Sequence, residues 1–243
     1  NVVGTLPLLS SFPDEPSPYT PASRLLWNEL YLDVSRVPEL PRCPSAQAML
    51  VSSPFQKELE TLHNLSLVDY PRQMALKRRI LEELCRYCFL EAPDRLKALQ
   101  HFIEAHPLME DYARFRAASE KQHASWRLWP QPLQDGVLKE GDYDEEAKRY
   151  HLYVQWLIHE QTQSMFEKAH EKDICLYLDL PLGVHSDSYD VWRYRTVFAL
   201  DASGGAPPDA VFGKGQDWGF PPLHPEELRK QGYSYYIACL RHH

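Results

Sequence analysis

In "DLPLGVHSDSYDVW" and "GGAPPDAVFGKGQDWGFPP", residues 179–192 and 204–222, the chain gathers Asp179, His185, Asp187, Asp190, Trp192, Asp209, Gln216 and Trp218. Carboxylates and an amide bond hydroxyls in the plane of a polyol ring, while an indole covers its apolar C–H face. This set therefore suits a neutral, hydroxyl-rich ligand. Each residue also has an ordinary reading. Asp179 can accept from backbone amides of the turn that follows it, and Trp218 can anchor its loop to the core. His185, beside Asp187, can be solvated or backbone-bonded rather than a base or a metal ligand. The second segment holds five of the chain's ten glycines and four of its twenty prolines. That composition excludes a helix or a central strand and predicts a long, shaped loop, the kind of element that more often carries function than merely connects.

Composition narrows the ligand classes. The formal net charge of −8 over 243 residues argues against a polyphosphate partner, since nucleic-acid binders carry a basic stripe. No GxGxxG, Walker A, GxSxG or HExxH string occurs, so nucleotide, serine-hydrolase and zincin chemistry have no local support. No cofactor and no metal are expected. No run approaches the roughly 18 apolar residues of a membrane span. The opening "NVVGTLPLL" lacks the charged and apolar regions of a secretion signal. Five cysteines, Cys43, Cys85, Cys88, Cys175 and Cys239, form an odd set without a regular framework, which suits a reducing cytosol. Cys85 and Cys88 stand in CxxC spacing inside a helical pattern, open to plain helix packing or to zinc or redox use.

The elements that must position these residues follow from periodicity. "VVGTLPLL" reads as extended, and "SFPDEPSPYTPAS" as a Pro/Ser-rich loop. From about Ser45 to His123 apolar residues recur three and four apart, as in "ALKRRILEELCRYCFLEA" and "DRLKALQHFIEAH", and Asp94 after Pro93 marks a helix start. "WRLWPQPLQDGVLKEGDYD" breaks that run. A long helix follows from about Glu145 to Lys172, with Leu152, Trp156 and Ile158 as buried candidates. "DICLYLDLP" then reads as a buried parallel strand closed by Pro181. "HPEELRKQGYSYYIACLRHH" supplies one further helix, with Pro225 at its first position. The αβα order belongs to α/β layers or a (β/α)8 barrel. In such folds ligands bind at the strands' carboxyl ends, where Asp179 lies.

"SPYTPASRLLWNELYLD", "DLPLGVHSDSYDVW" and "GAPPDAVFGKGQDWGFPP" together resemble three signature segments of the 4-α-glucanotransferases, the amylomaltases or disproportionating enzymes of glycoside hydrolase family 77. The resemblance covers nearly the whole chain and is closest to the bacterial branch with a large helical insertion. It implies an α/β fold, a partial (β/α)8 TIM barrel with an inserted α-helical subdomain. Residues 1–44 would hold a barrel strand and substrate loop, and 45–142 mainly the insertion. Residues 143–243 would hold a barrel helix, a strand, the active-site loop and the following helix. By the same implication Asp179 bonds sugar hydroxyls at the donor side of the scissile bond, and Ser17 and Tyr19 contact the bound glucan. Asp209, Gln216 and Trp218 belong to a mobile loop over the acceptor side. The family's aromatic two residues after the loop aspartate is replaced by Val211, with Phe212 next to it.

The resemblance further implies transfer of α-1,4-glucan segments between maltooligosaccharides by a retaining double displacement, with two carboxyl groups about 5–5.5 Å apart. The family's nucleophilic aspartate sits in an Arg-Ile-Asp-His-like string beyond the helix resembling "GYSYYIACLRHH", and its acid glutamate lies further on. Neither string is found here, so no catalytic residue is assigned, and the expectation is a truncated piece that retains binding residues. Its expected partners are maltooligosaccharides or other α-1,4-glucans, with no nucleic acid and no membrane. A half barrel also leaves an unpaired edge open to self-association. The alternatives are a non-catalytic α-glucan-binding or regulatory module, and a helical interaction protein acting through residues 45–172.

Overall fold

A computed structural model describes residues 1–243. The chain divides into two compact units, one of residues 1–27, 122–138 and 169–243, the other of residues 28–121 and 139–168.

The second unit is helical. After three short 3-10 turns come α1 (Pro44–Val51), α2 (Ser53–His63), α3 (Tyr70–Glu91), α4 (Pro93–Ala105) and α5 (Pro107–Gln122). Each of these begins with proline in its first turn or next to it, where a missing N–H costs nothing. Asp69 caps α3 by accepting from the Arg72 amide. The apolar spacing places Met74, Ile80, Leu81, Leu84, Cys85 and Cys88 of α3 in the core. Burial pushes the Cys85 thiol well above its ordinary value and Cys88 up to about 12. Both thiols therefore stay protonated and act as small apolar side chains. The next helix in the chain, α6 (Gln131–Gln134), belongs to the first unit, while α7 (Glu145–Glu171), nearly all of it in the second, buries a continuous stretch from Tyr150 to Ile158. Asp144 receives the Ala147 amide at 2.8 Å and starts α7. Arg95 of α4 makes two hydrogen bonds to Glu160, at 3.0 and 2.9 Å, and a third from its Nε to Glu39 at 2.7 Å. Its guanidinium lies 3.8 Å from the centre of the Trp156 ring.

One partly buried cluster is expected to make this unit acid-sensitive. Glu120 accepts from His151 Nε2 at 2.8 Å and from Arg78 at 2.6 and 2.9 Å. Burial works to raise the Glu120 carboxyl, but the hydrogen bonds from His151 and Arg78 outweigh it and hold the group well below the usual carboxylate range. Burial lowers the His151 imidazole below its ordinary 6.5, so it is neutral and donates. Glu120 thus contributes stability above the unfolded carboxylate value that is lost as pH falls through its folded one. The unfolded state binds a proton at His151 more readily than the folded state does, so stability also drops as pH falls below about 6.5. The urea midpoint followed by far-UV circular dichroism is expected to be lower at pH 5 than at pH 7.5. The His151→Gln variant, which keeps a donor toward Glu120, is expected to lose part of that drop. His159, lowered chiefly by burial and then by His106, accounts for some of the remainder.

The first unit carries the strands. β1 (Val2–Thr5) and β2 (Cys175–Leu178) pair in parallel, with Val2 opposite Cys175 and Thr5 opposite Leu178. The Asp179 amide continues the ladder to the Thr5 carbonyl at 3.3 Å. The parallel direction agrees with the sequence reading, but the expected burial does not. Val2 is 70% and Tyr177 64% exposed. A two-stranded sheet covers neither of its faces, and the two-sided apolar run of β2 marks only a potential for cover. Instead the core gathers around Leu9, Leu25, Leu26, Val184, Tyr189, Trp192, Val197, Phe198 and Tyr235. A short helix, α8 (Tyr189–Arg193), is capped by Ser188, whose hydroxyl accepts from Val191 N–H at 3.2 Å.

The expected single C-terminal helix is two helices, α9 (Pro225–Lys230) and α10 (Ser234–His242). Gly232 and Tyr233 both take left-handed dihedrals, with φ of 60° and 58°, and turn the chain between them. No helix is long and apolar enough to cross a membrane.

Candidate functional site

Three loops of the first unit carry the expected site residues. The first, residues 10–22, is closed at its neck by hydrogen bonds from Ser10 N to Leu26 O at 2.8 Å and from Ala22 N to Ser10 O at 2.7 Å. Inside it Glu15 accepts the Ser17 amide at 2.8 Å, and the Ser17 hydroxyl accepts the Tyr19 amide at 3.3 Å. These local bonds present the Tyr19 phenol outward. Its hydroxyl donates to Asp179 Oδ2 at 2.7 Å, and this bond raises Tyr19 above its ordinary value of 10.0. Asp179 stands at the carboxyl end of β2, directly after its last residue, Leu178, and two positions before Pro181. Ser17, Tyr19 and Asp179 therefore form one cluster.

The second loop follows β2 and is stitched to the first. His185 N donates to Pro21 O at 3.0 Å and Tyr189 N to Ala22 O at 2.9 Å. The His185 ring nitrogen Nδ1 accepts the Asp187 amide at 3.0 Å, and its ring meets Phe12 edge-on at 5.2 Å. It is a backbone-bonded loop histidine. Asp187 accepts the Ser125 hydroxyl at 2.7 Å and lies 3.6 Å from Arg127. Asp190 and Trp192 do not belong to a ligand surface, contrary to their grouping with the site by sequence. Both are fully buried, and the Trp192 indole N–H donates to Leu133 O at 2.8 Å.

The third loop is a long hairpin. Its base is the Phe198–Leu223 bridge and the bond from Ala199 N to Pro222 O at 2.8 Å. Its middle is the antiparallel pair β3 (Gly205–Ala206) and β4 (Gln216–Asp217). Trp218 N donates to Gly204 O at 2.9 Å and Gly204 N to Phe220 O at 2.8 Å. Asp217 accepts from the Ser203 hydroxyl and from Gly219 N, and these two bonds, Ser203 first, lower its carboxyl below the ordinary value. At the tip Asp209 Oδ1 accepts from Val211 N and Phe212 N at 2.8 and 2.6 Å, so one of its oxygens is engaged in holding the turn. The Trp218 indole N–H donates to Gln216 Oε1 at 3.2 Å, which pairs those two residues.

Trp218 is 41% exposed. The anchor of the hairpin is Phe220, which sequence reasoning did not single out. Its ring stacks on Trp218 with centroids 6.0 Å apart and planes at 27°. A methyl group at Gly183 or at Gly204 would overlap it. Gly183 lies four positions after Asp179, so Phe220 ties the hairpin to the loop that begins at Asp179. The available signal was the pair of glycines, one in each loop, which opens a slot for a ring.

Fold and site together define an α/β protein whose polar and aromatic loops gather at the carboxyl ends of parallel strands, the place where such folds bind ligands. A family model described as 4-alpha-glucanotransferase, that of glycoside hydrolase family 77, matches residues 1–243. The chain belongs to that family. It is 32% identical over 238 residues to the 4-alpha-glucanotransferase of Mycobacterium bovis, a match covering 95% of this chain and 32% of that protein. Amylomaltase from Corynebacterium glutamicum superposes with a TM-score of 0.76 at 24% identity, covering 98% of this chain and 33% of that one. Amylomaltase from Streptococcus agalactiae, in complex with acarbose, gives 0.78 at 23% identity, covering 99% and 49%. The fold is thus that of the amylomaltases, and the chain spans about a third of the curated relative's length.

Proposed function

We propose that this chain forms part of a 4-α-glucanotransferase that moves α-1,4-glucan segments between maltooligosaccharides by a retaining double displacement. In this reading it is a piece of a (β/α)8 barrel with a helical insertion. Residues 1–44 and 143–243 belong to the barrel and 45–142 largely to the insertion. Asp179, Tyr19 and Ser17 bind hydroxyls on the donor side. Gln216, Trp218 and Asp209 belong to the loop over the acceptor side. None of the carboxylates Asp179, Asp187, Asp190 and Asp209 is assigned as nucleophile or acid.

The observation that carries the reading is the Tyr19–Asp179 pair at the end of β2, joined through Phe220 to a half-exposed indole. A phenol and a carboxylate can exchange their mutual hydrogen bond for sugar hydroxyls without leaving either group unsatisfied. A tryptophan held by a hairpin offers an apolar face for a glucose ring. Calorimetric titration of the chain with maltoheptaose is expected to show saturable binding. Trp218→Ala is expected to weaken it about tenfold, or ~1.4 kcal/mol. Heat changes no greater than dilution would count against the reading. For the whole protein, incubation with maltotriose is expected to yield glucose and longer maltooligosaccharides, and an unchanged trimer would overturn the transferase assignment.

A further inference from the structure

The candidate-site unit concentrates its buried charge in one cluster. Arg24 is 1% exposed, Ser23 and Asp190 are fully enclosed, and Tyr235 of α10 lies in the core beside them. Asp190 Oδ1 accepts the Ser23 hydroxyl at 2.6 Å, and its Oδ2 accepts the Arg24 amide at 2.9 Å and the Tyr235 hydroxyl at 2.6 Å. The Tyr235 oxygen in turn accepts from Arg24 Nε at 3.2 Å and Nη2 at 3.1 Å. The remaining arm of the guanidinium, Nη1, donates to the carbonyls of Pro181 at 3.3 Å and Leu182 at 3.2 Å.

These two carbonyls belong to the turn that begins directly after Asp179. The same arginine is in the strand of chain that leaves the Ser17–Tyr19 loop. One rigid fork therefore ties together the two segments whose side chains meet in the Tyr19–Asp179 bond. We infer that Arg24 is a positioning residue: its guanidinium, oriented by Tyr235 and Asp190, fixes the Pro181–Leu182 turn and so holds the Asp179 carboxylate opposite Tyr19. The importance of that placement for glucan binding rests on the function proposed above, whereas the placement itself does not.

Stability alone is a poor account of the cluster. Apolar side chains of the same volume commonly replace a buried ion pair at no loss. What they cannot supply is directed donors to two adjacent carbonyls and a phenol at once. A planar guanidinium does this by aiming Nε and Nη2 at the phenol and Nη1 at the carbonyls, whereas the three donors of a lysine radiate from one nitrogen and cannot span both groups in this fork geometry.

The test uses the whole chain and isolates the Tyr19 hydroxyl by subtracting the ultraviolet ionisation curve of the matching Tyr19→Phe protein. Asp179→Asn gives the full downward shift of the Tyr19 midpoint that loss of the carboxylate produces. Arg24→Lys is expected to reproduce most of that shift. Tyr235→Phe, which keeps the ring packed on Tyr194 and Phe198 and removes only the oxygen, is expected to reproduce a smaller part. If Arg24→Lys does not fold, Tyr235→Phe decides the matter by itself. A wild-type Tyr19 midpoint in whichever of these variants retains a cooperative urea transition overturns the inference. A protein that never binds maltoheptaose but shows the shifts would sink the glucan reading and leave Arg24 in its role. A protein that binds while Tyr19 ignores Arg24 and Tyr235 would do the reverse.

Discussion

The Asp190→Ala variant is expected to lose about 3–5 kcal/mol of stability in the unit that carries the candidate site. Removing the carboxylate takes the only counter-anion bonded to the Arg24 cluster and leaves the Ser23 hydroxyl, the Arg24 amide and the Tyr235 hydroxyl without the acceptor they share. Burial raises the Asp190 carboxyl above its usual range, against the hydrogen bonds from Ser23, Tyr235 and the Arg24 amide that favour the ionised form. Its charge is therefore tolerated because of these donors, and they depend on it in turn. Against a typical total of 5–15 kcal/mol, a loss of this size brings the unit close to unfolding at room temperature. Asp190→Asn keeps an acceptor oxygen and the shape, so it is expected to fall between wild type and alanine. The check is a urea titration followed by near-UV circular dichroism, which senses Trp192 and Tyr235. A carboxylate that held nothing in place would change the midpoint by little, so a shift below about 0.5 kcal/mol would overturn the stabilising role given to Asp190.

What the sequence could convey depends on how local the cause is. The 3.6-residue spacing in α3 and α7, the proline starts of α2, α4 and α9, and the arrest of β2 before Pro181 are all set by neighbours in the chain. The glycine and proline content of residues 204–222 likewise excludes regular structure on its own. By contrast, Asp187 and Asp190 sit three residues apart on either side of the α8 N-cap, and nothing near them says that one meets Ser125 while the other is sealed in the cluster with Arg24. That distinction is made by Tyr235, far along the chain. A lone arginine in the apolar run "RLLW" was a usable hint, because a buried cation requires an anion nearby. The exposure of β2 was illegible for a related reason. An apolar strand encodes affinity for cover, and whether cover exists is a property of the tertiary structure. The split between α9 and α10 leaves the apolar periodicity nearly intact, so only the single glycine at 232 announced it. In the site, strand position placed Asp179, and composition marked the hairpin. Phe220, which joins them, is an apolar residue with no local signal to set it apart, and the sequence did not single it out.

The hairpin gives the second large effect. Gly205→Ala is expected to part β3 from β4, at a cost of about 1–3 kcal/mol, and to remove Trp218-dependent binding of maltoheptaose. A methyl group on Gly205 would fall far inside van der Waals contact with the carbonyl oxygen of Gln216. Because that atom belongs to the backbone, no side-chain rotation relieves the overlap. The arms must separate there, which breaks the pairing of Gly205 with Asp217 and Ala206 with Gln216 and strains the bond from Trp218 N to Gly204 O. The indole would then lose its fixed seat on Phe220, and holding a freed tryptophan against a sugar would require ordering both. Gly213→Ala is the matched control. An added methyl group there meets nothing within 4 Å, so its binding and near-UV spectrum are expected to stay at wild type. Calorimetry on the two alanine variants side by side separates a pre-set aromatic platform from a loop that forms around its ligand. In the second case both variants would bind maltoheptaose with similar affinity, and the hairpin would owe its shape to the sugar rather than to Gly205.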